Sequence, residues 1–115
     1  MSMLKDLKER ILKKSILTNK LRRELRLLER HILMLKTIQK HQPVGIIRLS
    51  SLLKIPQHKI RYSMRILEQD GLIKPSIDGA VVTEKMRSFL PHLKNILKEM
   101  TSTIVTVRKS VKAGR

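Results

Sequence analysis

The sequence contains no cysteine and almost no aromatic residues. None of its 115 residues is cysteine, which excludes disulfides, zinc fingers with thiolate ligands and thiol catalysis. Tyr62 and Phe89 are its two aromatic residues. Proteins that bind single strands or RNA loops stack bases on several exposed rings, so this shortage argues against such a partner.

Long apolar runs and acidic residues are also scarce. No stretch approaches the roughly 20 apolar residues that a membrane span needs. The first 14 residues carry charges every few positions, unlike a secretory leader. We therefore expect an intracellular, cytoplasmic protein with no membrane association.

The charge balance is strongly basic. Lys and Arg number 26 against 9 Asp and Glu, which gives a net charge of +17. This favours a polyanionic partner, with nucleic acid ahead of an anionic membrane surface. Since 41% of the residues are hydrophobic, the chain can also form a core and is not a disordered basic tail.

Catalytic and metal-binding patterns are not found in the sequence. It shows no carboxylate pair, no glycine-rich phosphate loop and no Ser-His-Asp set. Its four histidines are scattered over positions 31, 41, 58 and 92. We expect neither an enzyme nor a metal site, and the sequence suggests no cofactor.

The first 41 residues contain neither glycine nor proline and have a helical pattern. Residues in one register recur three or four apart, as a heptad seam requires, and all but the polar Lys14 and Thr18 are apolar: Leu4, Leu7, Ile11, Leu21, Leu25, Leu28, Ile32 and Leu35. Like charges would meet across a parallel dimer, so we expect packing against a partner subunit in antiparallel orientation or against the C-terminal helix. A break could lie near residues 15–19, because Thr18 and Asn19 are good N-caps.

Several short elements follow this helix. Residues 29–41 should form the first helix of a domain, with Ile32, Leu35 and Ile38 in its core. Residues 45–48 form a short segment with β-branched side chains at 46 and 47, which fits a small strand. Ser50 or Ser51 can cap a second helix. Pro56 would end it and begin a third helix that runs to about Asp70.

A hairpin and a last helix complete the pattern. The third helix should direct Ile60, Met64 and Leu67 inward, and Gly71 supplies a left-handed residue after it. Residues 72–73 and 81–82 are strand-like and are joined across Asp78 and Gly79, a strong signal for a tight turn. Thr83 could then cap a final helix.

Two features of this final helix complicate the prediction. Pro91 predicts a kink or a restart near Leu90, and the β-branched run at 101–107 weakens the helical prediction. Residues 109–115 are expected to form a mobile basic tail.

One face of the third helix is polar and basic. It carries Gln57, His58, Lys59, Arg61, Tyr62 and Arg65. In a helix-turn-helix, such a helix enters the major groove, where Arg and Lys reach guanine edges or phosphates and Gln pairs with adenine. Glu68 and Asp70 lie at its far end, which favours entry by the N-terminal half. Arg65 could instead pair with one of these carboxylates.

Other residues could support this contact. Ser50 and Ser51, with the amides behind them, could hold a phosphate at a helix start. The interface that we predict for double-stranded DNA comprises Arg48, Ser50, Ser51, Gln57, His58, Lys59, Arg61, Tyr62, Arg65 and Lys74.

The segment HKIRYSMRILEQDGLIKP resembles the recognition-helix-to-wing segment of winged helix-turn-helix transcriptional regulators, especially small archaeal ones and the MarR and PadR types. The resemblance covers about residues 29–84 and implies that Lys59, Arg61, Tyr62 and Ser63 fall where that family contacts DNA. The wing departs from the pattern: its tip carries Asp78 where Arg or Lys would enter a minor groove. We expect Lys74, at the base, to touch phosphate at most.

The predicted fold is therefore mainly α with a small β-hairpin, a winged helix-turn-helix with long N-terminal and C-terminal helices. We divide it into residues 1–28 for association, 29–84 for DNA binding, and 85–115 as a dimerisation helix with a basic tail. As in MarR- and PadR-like dimers, the terminal helices are expected to join two subunits. Packing of the two helices on each other within one chain is the alternative.

The function expected is that of a homodimeric, sequence-specific regulator, but the charge distribution leaves alternatives open. Residues 1–41 carry 12 basic and 4 acidic side chains, residues 42–83 carry 6 and 3, and residues 84–115 carry 8 and 2. Because the ends are more basic than the centre, an architectural protein that coats DNA with little sequence preference is the main alternative. An RNA-associated basic module and a protein-interaction adaptor are the others.

Overall fold

Residues 2–113 are described by a computed structural model in which a small hairpin follows a group of helices. The elements are α1 (Ser2–Lys13), α2 (Ile16–His41), α3 (Ile46–Leu53), α4 (Gln57–Gln69), β1 (Ile73–Ser76), β2 (Gly79–Val82) and α5 (Lys85–Ala113). The order α2–α3–α4–β1–β2 with long helices at both ends is that of a winged helix-turn-helix, so the predicted fold class is confirmed.

The break expected in the N-terminal helix lies between α1 and α2. Ser15 is the N-cap of α2, and its Oγ accepts a hydrogen bond from the backbone N–H of Thr18 at 3.3 Å. The capping residue is thus Ser15 and not Thr18 or Asn19. From there α2 runs without interruption to His41, across the boundary proposed at residues 28 and 29.

The core is formed where α2, α3 and α4 meet the hairpin. Its buried apolar side chains are Met34, Leu35, Ile38, Val44, Leu49, Ile60, Leu67, Leu72, Ile73, Ala80 and Met86. Of the predicted core residues, Leu35, Ile38, Ile60 and Leu67 are confirmed. Ile32 and Met64 are only half-buried.

The prediction of a strand at 45–48 and of a serine cap for α3 is wrong. Gly45 is the N-cap of α3, and Ser50 and Ser51 lie inside the helix. The apolar spacing explains this, since Ile46, Leu49 and Leu53 recur three and four apart and face the core. The strand-like pairing falls one residue earlier, where Val44 and Ala80 exchange backbone hydrogen bonds of 3.1 and 2.8 Å.

The hairpin that forms the wing is found in the predicted region, but its strands are longer than predicted, Leu72 lies outside them, and its loop begins one residue earlier. β1 and β2 pair antiparallel, with Ile73 opposite Val82 and Ser76 opposite Gly79, so Ile77 and Asp78 form the loop. Gly71, at the end of α4, has a φ of 73°, as predicted. Gly79 has a φ of 134° and lies against the backbone of Val44 and Gly45, where no side chain would fit.

The C-terminal helix differs from its prediction in several respects. Thr83 is not adjacent to α5, which begins at Lys85, and its Oγ1 donates instead to the carbonyl of Gly71 at 2.6 Å. Of the kink or restart predicted near Leu90, the restart is wrong, because α5 continues through Pro91. The helix also continues through the β-branched run and through residues 109–113, which were expected to belong to a tail. In the β-branched run, Thr101 and Thr106 donate to the carbonyls four residues earlier. Gly114 and Arg115, the rest of that tail, lie outside the described residues.

Both terminal helices expose apolar side chains. In α1 and the first half of α2 these include Leu4, Leu7, Ile11, Ile16, Leu21 and Leu25, and in α5 they include Met100, Ile104, Val107 and Val111. Packing of the two terminal helices on each other is therefore not seen within residues 2–113. No helix in that range is long and apolar enough to span a membrane.

Candidate nucleic-acid interface

The side chains of α4 divide into a buried face and a charged face. Ile60, Ser63 and Leu67 are buried against the core at intervals of three and four residues. Between positions 57 and 65, the exposed side chains of α4 are Gln57, His58, Lys59, Arg61, Tyr62 and Arg65. The polar and basic face predicted from the sequence is thus exposed, and neither Lys59 nor Arg61 is covered by the terminal helices.

One open groove joins α3, the start of α4 and the wing tip. Arg48 and Ser51 of α3 line it together with Gln57 and Arg61 of α4, and Asp78 of the wing is also part of its lining. The turn between α3 and α4 places these two helix segments side by side. Four of the ten predicted contact residues therefore meet in a single concave surface.

A second open groove lies on the other flank of α4. His58, Lys59, Arg61, Tyr62 and Arg65 line it, together with Arg30 of α2. Arg61 lines both grooves and is the most central of the basic side chains. No described side chain caps the N-terminus of α4, and the positive end of its dipole lies at the same surface.

Two predicted contact residues lie apart from these grooves. Ser50 is half-buried, and its hydroxyl donates to the carbonyl of Ile55 at 2.5 Å. Because it lies inside α3, it has no helix-terminal amides behind it, which removes the reason for predicting a phosphate contact. Lys74 is exposed on β1, beside Glu68 in a separate depression.

Ser63, which the family resemblance placed at the DNA, is fully buried. Its Oγ accepts a hydrogen bond from Nε of Arg30 at 2.8 Å and lies 2.9 Å from Nδ1 of His31. Ser63 thus connects α4 to α2 through these side-chain contacts. Ser63 has a structural role and cannot reach a ligand.

The same cluster lowers the pKa of His31. Burial is the main cause, the neighbouring Arg30 charge adds to it, and Glu24 opposes it. A neutral ring suits the geometry: Arg30 already donates to Ser63 Oγ, so the hydroxyl proton can be donated to an unprotonated Nδ1. Tyr62 adds a ring contact, with its centroid 6.1 Å from that of His31.

The lowered pKa predicts that the protein loses stability as the pH falls. Below about pH 6.5, the usual histidine pKa, the unfolded chain takes up a proton that folded His31 resists. The free energy of unfolding should therefore decrease as the pH falls below that value, and should level off below the folded-state pKa. His31→Asn can retain an acceptor near Nδ1 and cannot titrate.

Urea denaturation at a series of pH values between about 7.5 and 4.5 measures this effect. The three other histidines are unchanged in His31→Asn, so the difference between the two profiles isolates His31. The variant should show a smaller decrease than the wild type. Identical pH profiles would contradict the assigned role of His31.

Three basic residues near α4 were not predicted from the sequence. Arg26 and Arg30 of α2 and Lys54, between α3 and α4, line a third open groove with Lys59. Arg26 and Arg30 are four residues apart and so share one helix face, which is the signal that could have indicated them. Lys54 has a φ of 55°, a left-handed conformation that no local pattern indicates for a lysine.

Comparisons with known proteins bear on the fold. No family model and no curated protein sequence matches the chain. The chain is similar in structure to the activation domain of the phage T4 transcription factor MotA, with a TM-score of 0.51 and 15% identity over 67% of this chain and 82% of that one. It also matches Staphylococcus aureus MarR in complex with salicylate and kanamycin, with a TM-score of 0.46 and 19% identity over 91% and 80% of the two chains.

The element order and the wing define the class of protein: this chain is a winged helix-turn-helix protein with a long helix on each side of the winged domain. This confirms the fold that the resemblance of residues 29–84 implied.

Proposed function

We propose that the protein is a transcriptional regulator that binds double-stranded DNA through α4. The observation that carries this proposal is the broad exposed surface of α4, which presents Lys59, Arg61 and Arg65 together with Gln57 and Tyr62. A helix of this kind, standing out from a rigid core, fits the major groove, where Arg reads guanine and Gln reads adenine. The name of the structural neighbour MotA, a transcription factor, is consistent with it.

The two grooves beside α4 suggest which predicted residues act together. Arg48, Ser51, Gln57 and Arg61 would face one side of the bound duplex, and His58, Lys59 and Arg65 the other. The wing tip carries Asp78, so minor-groove entry is not part of the proposal. For Lys74, at the base of the wing, we propose a phosphate contact and no contact with a base.

The exposed apolar faces of α1, α2 and α5 support a homodimer. A domain this small leaves these side chains uncovered, and a second copy of the chain could bury them. Two-fold symmetry would then give half-sites about one helical turn, or a multiple of it, apart. Sedimentation of the free chain measures this, and a monomer at all concentrations would contradict it.

The DNA-coating alternative also has an observation in its favour. Basic side chains are spread along α1, α2 and α5 as well as α4. A coating protein would bind all duplexes with similar affinity, whereas a regulator should bind its operator about a thousandfold or more above other sequences. Either role would keep the protein with the nucleoid.

Titration of labelled duplex DNA with the wild-type chain and with Arg61→Ala tests the assignment of α4. Equal affinities of the two proteins would contradict it.

A further inference from the structure

We propose that Arg30 of α2 is a prearranged phosphate-binding side chain, and that with Arg26 and Lys54 it extends the DNA contact beyond α4. This inference rests on the proposed function, since it assigns a second part of the duplex to the same protein. The surface formed by Arg26, Arg30, Lys54 and Lys59 is called the α2 cluster below.

Arg30 is held in a fixed position. Its Nε donates to the buried Oγ of Ser63 at 2.8 Å, and its guanidinium carbon lies 5.9 Å from the centroid of the Tyr62 ring. A guanidinium held in this way loses less freedom on binding than a free side chain, and the two terminal nitrogens remain as donors. Within residues 2–113, Arg30 has no carboxylate within salt-bridge distance.

Arg30 also lies between two grooves. It lines the groove of His58, Lys59, Arg61 and Arg65, and also the groove that holds the rest of the α2 cluster. Lys59 is the other residue common to both. The α2 cluster therefore continues the basic surface of α4 toward α2, so a duplex seated on α4 would bring a backbone strand to it.

The groove that the α2 cluster lines is basic. Its lining includes the four basic side chains of the cluster and one acidic side chain, Glu29. The walls are otherwise formed by Leu33, Ile55 and Pro56, with no aromatic ring and no pocket for a base. Such a surface can neutralise phosphates but cannot read sequence, so its contribution should be the same on every duplex.

The test uses the full chain and a fluorescein-labelled duplex of random sequence, about two helical turns long, with anisotropy measured over a series of NaCl concentrations. Arg30→Gln should weaken binding about tenfold, since a hydrogen bond between charged groups is lost. It should also reduce the slope of log Kd against log salt concentration by about 0.9. Arg23→Gln, an exposed arginine of the same helix outside the grooves, is the matched control and should leave both unchanged.

Because Arg30→Gln also removes the bond to Ser63, two further variants separate binding from folding. Arg26→Gln and Lys54→Gln make no described contact with Ser63 and should each reduce the salt slope in the same direction. If duplex binding responds to Arg61→Ala but all three variants keep the wild-type slope, the inference is wrong and the proposed function stands. If the wild-type chain does not bind duplex DNA, the proposed function is overturned and this inference with it.

Discussion

Arg61→Ala is expected to weaken binding to the preferred duplex about ten- to a hundredfold, the range for loss of one bidentate arginine–guanine contact. We expect this loss because of where Arg61 lies. Arg61 lies on the exposed face of α4 and lines the grooves on both flanks of that helix. Lys59→Ala should cost less, since a lysine contacts phosphate as a point charge.

The measurement is titration of a panel of labelled duplexes that includes the tightest binder found. Arg108→Ala, an exposed arginine of α5, removes the same charge far from α4 in the sequence and serves as control. A regulator should show a large loss for Arg61→Ala on the preferred duplex and a small one for Arg108→Ala. Equal small losses on every duplex would favour the coating protein and contradict the role of α4.

Gly79→Ala is expected to destabilise the fold by about 3 kcal/mol or more. A Cβ at this position would lie 2.6 Å from the carbonyl carbon of Val44, 2.7 Å from its nitrogen and 2.9 Å from the nitrogen of Gly45. These are backbone atoms, held by the two hydrogen bonds between Val44 and Ala80, and cannot move aside as a flexible side chain could. Overpacking costs roughly 1–3 kcal/mol and the φ of 134° adds strain of about the same size.

Urea denaturation followed by circular dichroism measures this loss, which is a large part of the roughly 5–15 kcal/mol that stabilises a small domain. Gly45→Ala is the matched control, because a Cβ at that position would have no atom beyond its chain neighbours within 4 Å. Gly45 is the N-cap of α3, and its replacement there by alanine should lower the free energy of unfolding by less than about 1 kcal/mol. Equal stabilities of the two variants would show that the wing does not pack against Val44 as described.

Much of the fold could be predicted because local patterns and tertiary packing agree. Ile60 and Leu67 face the core at helical spacing, and Gly71 has the left-handed φ that ends α4. Asp78 lies in the hairpin loop, and Gly79 begins the strand that follows it. The α3 region was mispredicted because its short β-branched start fits a strand as well as a helix. The contact of Leu49 with the core decides in favour of the helix.

The candidate site was predictable only in part. The exposed face of α4 could be predicted, because helical periodicity places its polar and basic residues opposite the apolar ones. The partners that α2 contributes are 33 and 32 residues away from Ser63 in the chain, as the bonds from Arg30 and His31 show. No local pattern indicates a contact of that kind, so the family resemblance placed Ser63 at the DNA and Arg30 was not predicted.

The central claim is that duplex DNA covers α4, and lysine acetylation footprinting of the free and DNA-bound chain tests it most directly. Lys59 is exposed on α4, while Lys5 on α1 and Lys98 on α5 are exposed on the terminal helices. We predict that saturating duplex protects Lys59 strongly and leaves Lys5 and Lys98 reactive. Unchanged reactivity of Lys59, with protection of Lys5 and Lys98, would show that the terminal helices hold the DNA and that α4 does not.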